Sequence, residues 1–198
     1  MATEIRFAFD GASFSRRARE YVRGILRPAL QQAADYLGAY ARLRLMAATQ
    51  VYLDDPIQWT VNAFAYRRGD GGQPSTVVFV RESQAAYLGL EVRGGVRHAG
   101  DYATTRDGPL VPGRDATLDE NGNLPRDAVA EALAAGARWA RLTPGKPAAL
   151  VLPGRDRLQV LAVIVEETTY RPRFPFNDIV RDAVLAKAPE ALAKHLPR

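Results

Sequence analysis

Between Phe14 and Leu43, apolar residues recur at Phe14, Ala18, Tyr21, Val22, Ile25, Leu26, Ala29, Leu30, Ala33, Leu37, Tyr40 and Leu43. Spacings of three and four place all of them on one stripe of an α-helix, and such a stripe needs a second surface to lie on. Pro28 falls inside the run, where it lacks an amide proton and crowds the preceding turn. The pattern therefore predicts a helix from Phe14 to about Ala48, roughly 50 Å long if continuous, with a kink or a junction of two helices between Gly24 and Arg27. Ser13 or Ser15 is the expected N-cap. Ahead of it, IRFAF at Ile5 to Phe9 alternates in polarity and predicts a short strand or an ordered arm within residues 1–12.

After Asp54, Asp55 and Pro56, the run IQWTVNAFAYRRG alternates, and STVVFVRE has strong β propensity. Together they predict a hairpin from Trp59 to Val80 with its tip at Gly69 to Pro74. Ser83 to Gly95 reads as a short turn or helix ending in a Gly-Gly pair. From 97 to 125 there is no periodicity, only turn formers, which predicts a long ordered loop or arm. Helical spacing returns at Asp127 to Trp139. Two strands are expected in AALVLPG and RLQVLAVIVEET, the second central because it is the most apolar stretch. Residues Pro175 to Leu196 predict a closing helix broken at Pro189. The sum is an α+β fold in one domain over 1–198: a long N-terminal helix, an antiparallel sheet of about four strands, helices on one face and an extended loop at 97–125.

The residue inventory narrows the chemistry. With no cysteine, disulfides, thiolate metal sites and cysteine nucleophiles are all excluded. The two histidines, His98 and His195, lie far apart and form no HExxH pair, so no metal or cofactor is expected. TPGKPAA around Lys146 superficially resembles a phosphate loop but lacks the first glycine and the hydroxyl residue after Lys. In LDENGN, at 118 to 123, Gly122 comes too early for a calcium loop, leaving a tight turn. No serine sits in a GxSxG setting. His98 with Asp101 three residues on is the one candidate base, and Glu166 and Glu167 point to opposite faces of a strand. No catalytic residue is therefore assigned, and the chain is not expected to be an enzyme. No apolar run approaches the ~18 residues of a membrane span, and MATEIRFAFDGASF does not read as a secretion signal.

Charge is uneven: residues 1 to 50 carry eight basic and four acidic side chains, a net of +4, whereas 101 to 150 carry six and seven, a net of −1. Arg16, Arg17, Arg19, Arg23 and Arg27 sit at helical spacing, as expected of a solvated helix face; contact with DNA or with an acidic protein surface is the functional alternative. Tyr66, Arg67 and Arg68, with Arg93 and Arg97 beyond, could stack on and clamp nucleic acid, but their window is neutral and holds no recognised module.

The order of segments carries more. An Arg- and Ala-rich helix from Phe14 is followed by the hairpin, then by YLGLEVRGG with Tyr87, Leu88, Arg93, Gly94, Gly95 and then Arg97. Pro109 and the LVPG loop at 110 to 113, with Pro112 and Gly113, come next, and then LDENGN with Asp119, Asn121, Gly122 and Asn123 ahead of a helix. A strand at Val160 to Tyr170 and a last helix after Phe174 and Phe176 complete the series. This order resembles the minor tail protein Z family of tailed bacteriophages and related tail-completion proteins, and the resemblance covers nearly the whole chain. It implies a structural virion protein of the tail or neck, made in the host cytoplasm, closing the tail or joining it to the head. It implies no catalytic residue. Its expected partners are copies of itself, in a ring of six by analogy with tail symmetry, and tail-tube, tail-terminator or head–tail connector proteins, with no membrane. The thirteen residues just named, from Tyr87 to Asn123, are the expected assembly contacts, with YLGLEVRGG as the hinge at which a compact region hands over to an arm. The alternative is a DNA-contacting factor at the portal or genome end that uses the Arg-rich helix.

Overall fold

The computed structural model describes residues 8–101, 104–120 and 122–197; most of the strand or arm expected at Ile5 to Phe9, and Asn121, lie outside them. The chain is a mixed α+β protein that divides into two compact units. One comprises Met1–Leu45, Phe64–Phe79 and Asn177–Arg198; the other comprises Met46–Ala63 and Val80–Phe176.

The first unit is organised on the N-terminal helix. Helix α1, Gly11–Tyr21, is capped by Asp10, whose carboxylate accepts from the amides of Ala12 and Ser13 at 3.1 and 3.0 Å, in place of the expected serine. Phe9 and Phe14, one residue before the cap and four into the helix, pack ring to ring at 5.5 Å as a hydrophobic staple. The break expected at Pro28 is a π-helical turn, Val22–Leu26, after which α2 runs from Arg27 to Tyr52. Arg27 N–H donates to Val22 O, five residues back, so the backbone widens just where the proline ring would meet the turn before it.

Strands β1, Phe64–Arg68, and β2, Thr76–Val80, form the hairpin. Gln31 and Asp35 of α2 hold it: Gln31 exchanges hydrogen bonds with both backbone groups of Ser75, and Asp35 accepts from Arg68 Nε at 2.9 Å and Thr76 Oγ1 at 3.0 Å. Burial pushes the Asp35 carboxyl up, but the bonds from Gln31, Arg68 and Thr76 hold it below the usual carboxylate range. Gly38 admits the strand, since a β-carbon there would overlap Thr76 Cγ2. The last helix, Phe176–His195, is continuous through Pro189 and not broken there. An α-helical amide at 189 would bond the carbonyl of Leu185, and that residue is 67% exposed, so the missing bond falls on the outer side of the helix. Glu190 of this helix accepts from Tyr36 Oη and from Lys187 Nζ.

In the second unit, IQWTVNAF is not a strand up to Phe64: Gln58–Val61 is a helical turn, α3. Helix α4 follows as Glu82–Arg93, and β3, Gly95–His98, pairs antiparallel with β8, Glu167–Tyr170. The main sheet is antiparallel in the order β4-β7-β6-β5, with β4 at Leu110–Pro112, β5 at Arg138–Ala140, β6 at Ala149–Pro153 and β7 at Leu158–Ile164. The strand expected to be central is internal, whereas the 97–125 segment supplies an edge strand where a loop was expected. Helix α5, Ala128–Ala134, covers one face, where Leu150 opposite Ala162 packs with Val129 and Ala132. This helix was expected to reach Trp139. It stops because Gly136 takes φ 97° and the amides of Gly136 and Ala137 turn back onto Leu133 and Ala132, a Schellman cap, which leaves Arg138–Ala140 free to pair as β5.

Candidate assembly surface

In the second unit, the chain bends at 53–55, where Asp55 takes φ 35°, and α3 follows with Trp59 against α4. The Trp59 ring stacks on Tyr87 at 5.6 Å with 21° between planes, and Thr60 Oγ1 lies 2.9 Å from Tyr87 Oη. Buried Gln84 donates to Trp59 O at 3.2 Å, locking the turn to α4. Two helical turns on from Gln84, buried Glu91 receives Arg173 Nε at 2.5 Å and Nη2 at 3.3 Å, while Arg173 Nη1 reaches Asp54 at 3.0 Å. The two carboxylates hold the Arg173 guanidinium in its charged form, Glu91 contributing most.

These residues border an open cleft of about 470 Å³, floored by Leu53, Pro56, Trp59, Tyr87 and Leu88 and rimmed by Asp54, Asp55 and Asp119. Four expected contact residues converge on it: Tyr87, Leu88, Asp119 and Asn123. Asp119 and Asn123 form a closed turn, with Asn123 N–H on Asp119 Oδ1 at 2.8 Å and Asp119 N–H on Asn123 O at 2.8 Å; Gly122 takes φ 75° within it. Leu88 is 1% exposed, so its side chain belongs to the core and offers no outward contact, which corrects its place among the surface contacts.

The other expected contacts do different work. Gly94, φ 71°, ends α4 where a β-carbon would crowd Pro172 and Tyr170 O, and Gly95 follows at φ 136°. Exposed Arg93 folds back over Gly89, and Arg97 of β3 reaches Tyr170 Oη at 3.4 Å. Buried Pro109 accepts from Val165 N–H, Gly113 runs so close to Val160 that a β-carbon would overlap its carbonyl, and Pro112 sits exposed on the edge strand, which tolerates its missing donor. YLGLEVRGG is therefore a helix and its cap, pinned to β8.

The first unit carries a second surface. None of residues 11–28 is buried: Phe14 is 60% exposed, Tyr21 46% and Ile25 48%. Arg16, Arg17, Arg19 and Arg23 are exposed on the same helical stretch. On the hairpin, by contrast, Arg67 pairs with Asp70 and Arg68 with Asp35.

Elsewhere the polar groups are structural. Asp101 accepts from the backbone N–H of His98, while the imidazole faces Glu167 at 3.7 Å. Lys146 lies in a turn in which its amide donates to Thr143 O. Among the described residues no cluster of three or more His, Cys, Asp or Glu is placed to hold a metal, and no helix is long and apolar enough to cross a membrane. No protein-family model, curated protein or solved structure matches the chain. Sequence reasoning missed Trp59 and the Glu91–Arg173 pair; the pairing spans 82 residues and leaves no local pattern.

Proposed function

We propose that this chain is a structural virion protein of a tailed phage, a tail-completion or neck component that works by assembly at the head–tail junction. The observation that carries the reading is the helical stretch 11–28, whose apolar stripe is presented to solvent with no core of its own. A run of exposed aromatic and aliphatic side chains at helical spacing is what a partner surface covers, because leaving it in water forfeits about 25 cal/mol per Å² of apolar area. The segment order resembling the minor tail protein Z family gives that partner its class: copies of the same chain in a ring, and the tail-tube, tail-terminator or connector proteins beside it. Virions made without the protein test the reading. Unjoined heads and tails, seen by electron microscopy with loss of infectivity, are the expected result; normal infectious particles would overturn it.

A second reading draws on the arginines of the same stretch, Arg16, Arg19 and Arg23, which suit contact with DNA at the portal. Phosphate contacts predict an affinity that falls steeply with salt in a filter-binding series. Weak binding that is flat in salt removes this alternative.

A further inference from the structure

Two surfaces on this chain have complementary chemistry. Residues 11–27 carry Arg16, Arg17, Arg19, Arg23 and Arg27 against Glu20, five charges against one, a net of +4. Along one side of this helix run Phe14, Ala18, Tyr21 and Ile25, at spacings of four, three and four, over roughly 17 Å of axis at about 1.5 Å per residue. Arg17 flanks that stripe, about 70° from its centre at 100° per residue, while Arg19 lies about 130° away on the other side. The cleft of the second unit has an apolar floor including Pro56, Trp59 and Tyr87, and its charged lining is Asp54, Asp55, Glu91 and Asp119 against Arg126 and Arg173, four against two, a net of −2.

We infer that the α1 stripe of one copy seats in the α3–α4 cleft of a second copy. This rests on the assembly reading above and names its contact. Phe14 and Tyr21, each one turn from Ala18 and two turns from each other, enter the cleft as anchors, as amphipathic helices do in apolar grooves. Arg17, beside the stripe, meets the acidic rim of Asp54, Asp55 and Asp119, which fixes the register, and the remaining arginines of the stretch steer encounter. Occupancy by a second copy follows from the placement of both halves on one chain. Helix-to-helix pairing would set +4 against +4, whereas helix-to-cleft pairing is attractive and uses different patches on the two partners. Such a heterologous contact leaves a free helix at one end and a free cleft at the other, and it propagates until it closes into a ring.

Two variants separate the halves: Phe14→Glu with Ile25→Glu on the helix, and Ile57→Arg at the exposed lip of the cleft. Every substituted side chain is 41% exposed or more, so the fold is retained, checked by circular dichroism and thermal melting. In sedimentation velocity the wild type is expected to be oligomeric and each variant monomeric. An equimolar mixture of the two variants should give a dimer and nothing larger, because one competent helix and one competent cleft remain. An oligomer unchanged in either variant overturns this interface and leaves the ring reading standing. A mixture that stays monomeric also overturns it, and a wild type monomeric at every concentration overturns both. Monomeric wild type that binds vesicles of mixed phosphatidylcholine and phosphatidylglycerol, with binding lost in the helix variant, would overturn it and assign the stripe to a lipid surface.

Discussion

Arg157, in the turn between β6 and β7, forks onto Asp115 with Nη1 to Oδ2 at 3.1 Å and Nη2 to Oδ1 at 2.5 Å. Asp115 also accepts from Val160 N–H at 2.8 Å and from Arg114 Nε at 3.3 Å, and its own amide donates to Val160 O. One carboxylate thus fastens the chain leaving edge strand β4 to the start of β7. Arg157 contributes most to holding its pKa down, followed by the Val160 amide, against a smaller opposing effect of burial; the value falls to about 2.

The pH dependence follows from that direction. The folded pKa lies below the ordinary value of 3.8, so the unfolded chain binds the proton more readily. The stabilisation is fully present above about pH 4 and is lost as pH falls toward 2. Asp115→Asn is expected to lower the melting temperature at neutral pH by several degrees, and the melting curves of variant and wild type should converge near pH 2. A constant gap across that window would show that the carboxylate does not stabilise through its charge.

Glycines in the 97–125 segment should separate sharply. Gly108 has φ 141°, and a β-carbon would overlap Val165 O; Gly122 has φ 75°, with nothing within 4 Å of the same atom. Gly122→Ala therefore meets only the left-handed backbone penalty, about 1 kcal/mol, whereas Gly108→Ala must displace the Val165 backbone just past β7 and should cost more than ~2 kcal/mol. Urea denaturation of the two variants checks the ranking, and equal losses would contradict the close approach at Gly108.

Much of the architecture was legible because periodicity is local. The stripe from Phe14 marked the helix, and the unbroken apolar run at Val160–Ile164 marked an internal strand. Trp59 was misread because IQWTVNAF alternates like a strand. Yet the amides of Thr60 and Val61 both reach Ile57 O, and a helical turn forms with Trp59 facing Tyr87. Strand β4 gave no signal: three residues ending in proline pair only because Ile164, Val163 and Ala162 lie opposite. Of the expected contacts, Tyr87, Asp119 and Asn123 meet at a cleft whose acidic and aromatic character came from residues far away in sequence.

Glu91 and Arg173 should behave as a coupled pair. Glu91 is buried, while the Arg173 side chain is 48% exposed, so solvent screens part of their attraction. Glu91→Ala is expected to cost about 1–2 kcal/mol, less than a fully buried pair would lose. In a double-mutant cycle with Arg173→Ala, the second substitution should add little once the first is made. Strict additivity would show that the geometry carries no coupling.

Leu88 and Tyr87 are neighbours with opposite expectations. Leu88→Ala empties a site that is 1% exposed and should cost about 2–4 kcal/mol of stability. Tyr87→Phe removes only the hydroxyl bonded to Thr60, about 0.5–1.5 kcal/mol, and keeps the ring on Trp59. Denaturant midpoints check both, and a Leu88→Ala variant of wild-type stability would place that side chain outside the core.

Pro28→Ala tests whether the π turn sets the facing of α1. Restoring the amide at 28 lets it donate to Gly24 O, and the turn at Val22–Leu26 is expected to tighten to α-helical geometry. Removing the extra residue of a π turn rotates the preceding helix by about 100° relative to α2. The α1 stripe of Phe14, Ala18 and Tyr21 then points about a quarter-turn away from its present direction. Helicity by circular dichroism and thermal stability should hold or rise slightly, while self-association measured by sedimentation should fall. Association at the wild-type level together with α-helical amide shifts at Val22–Leu26 would show that the direction of the stripe does not matter for assembly.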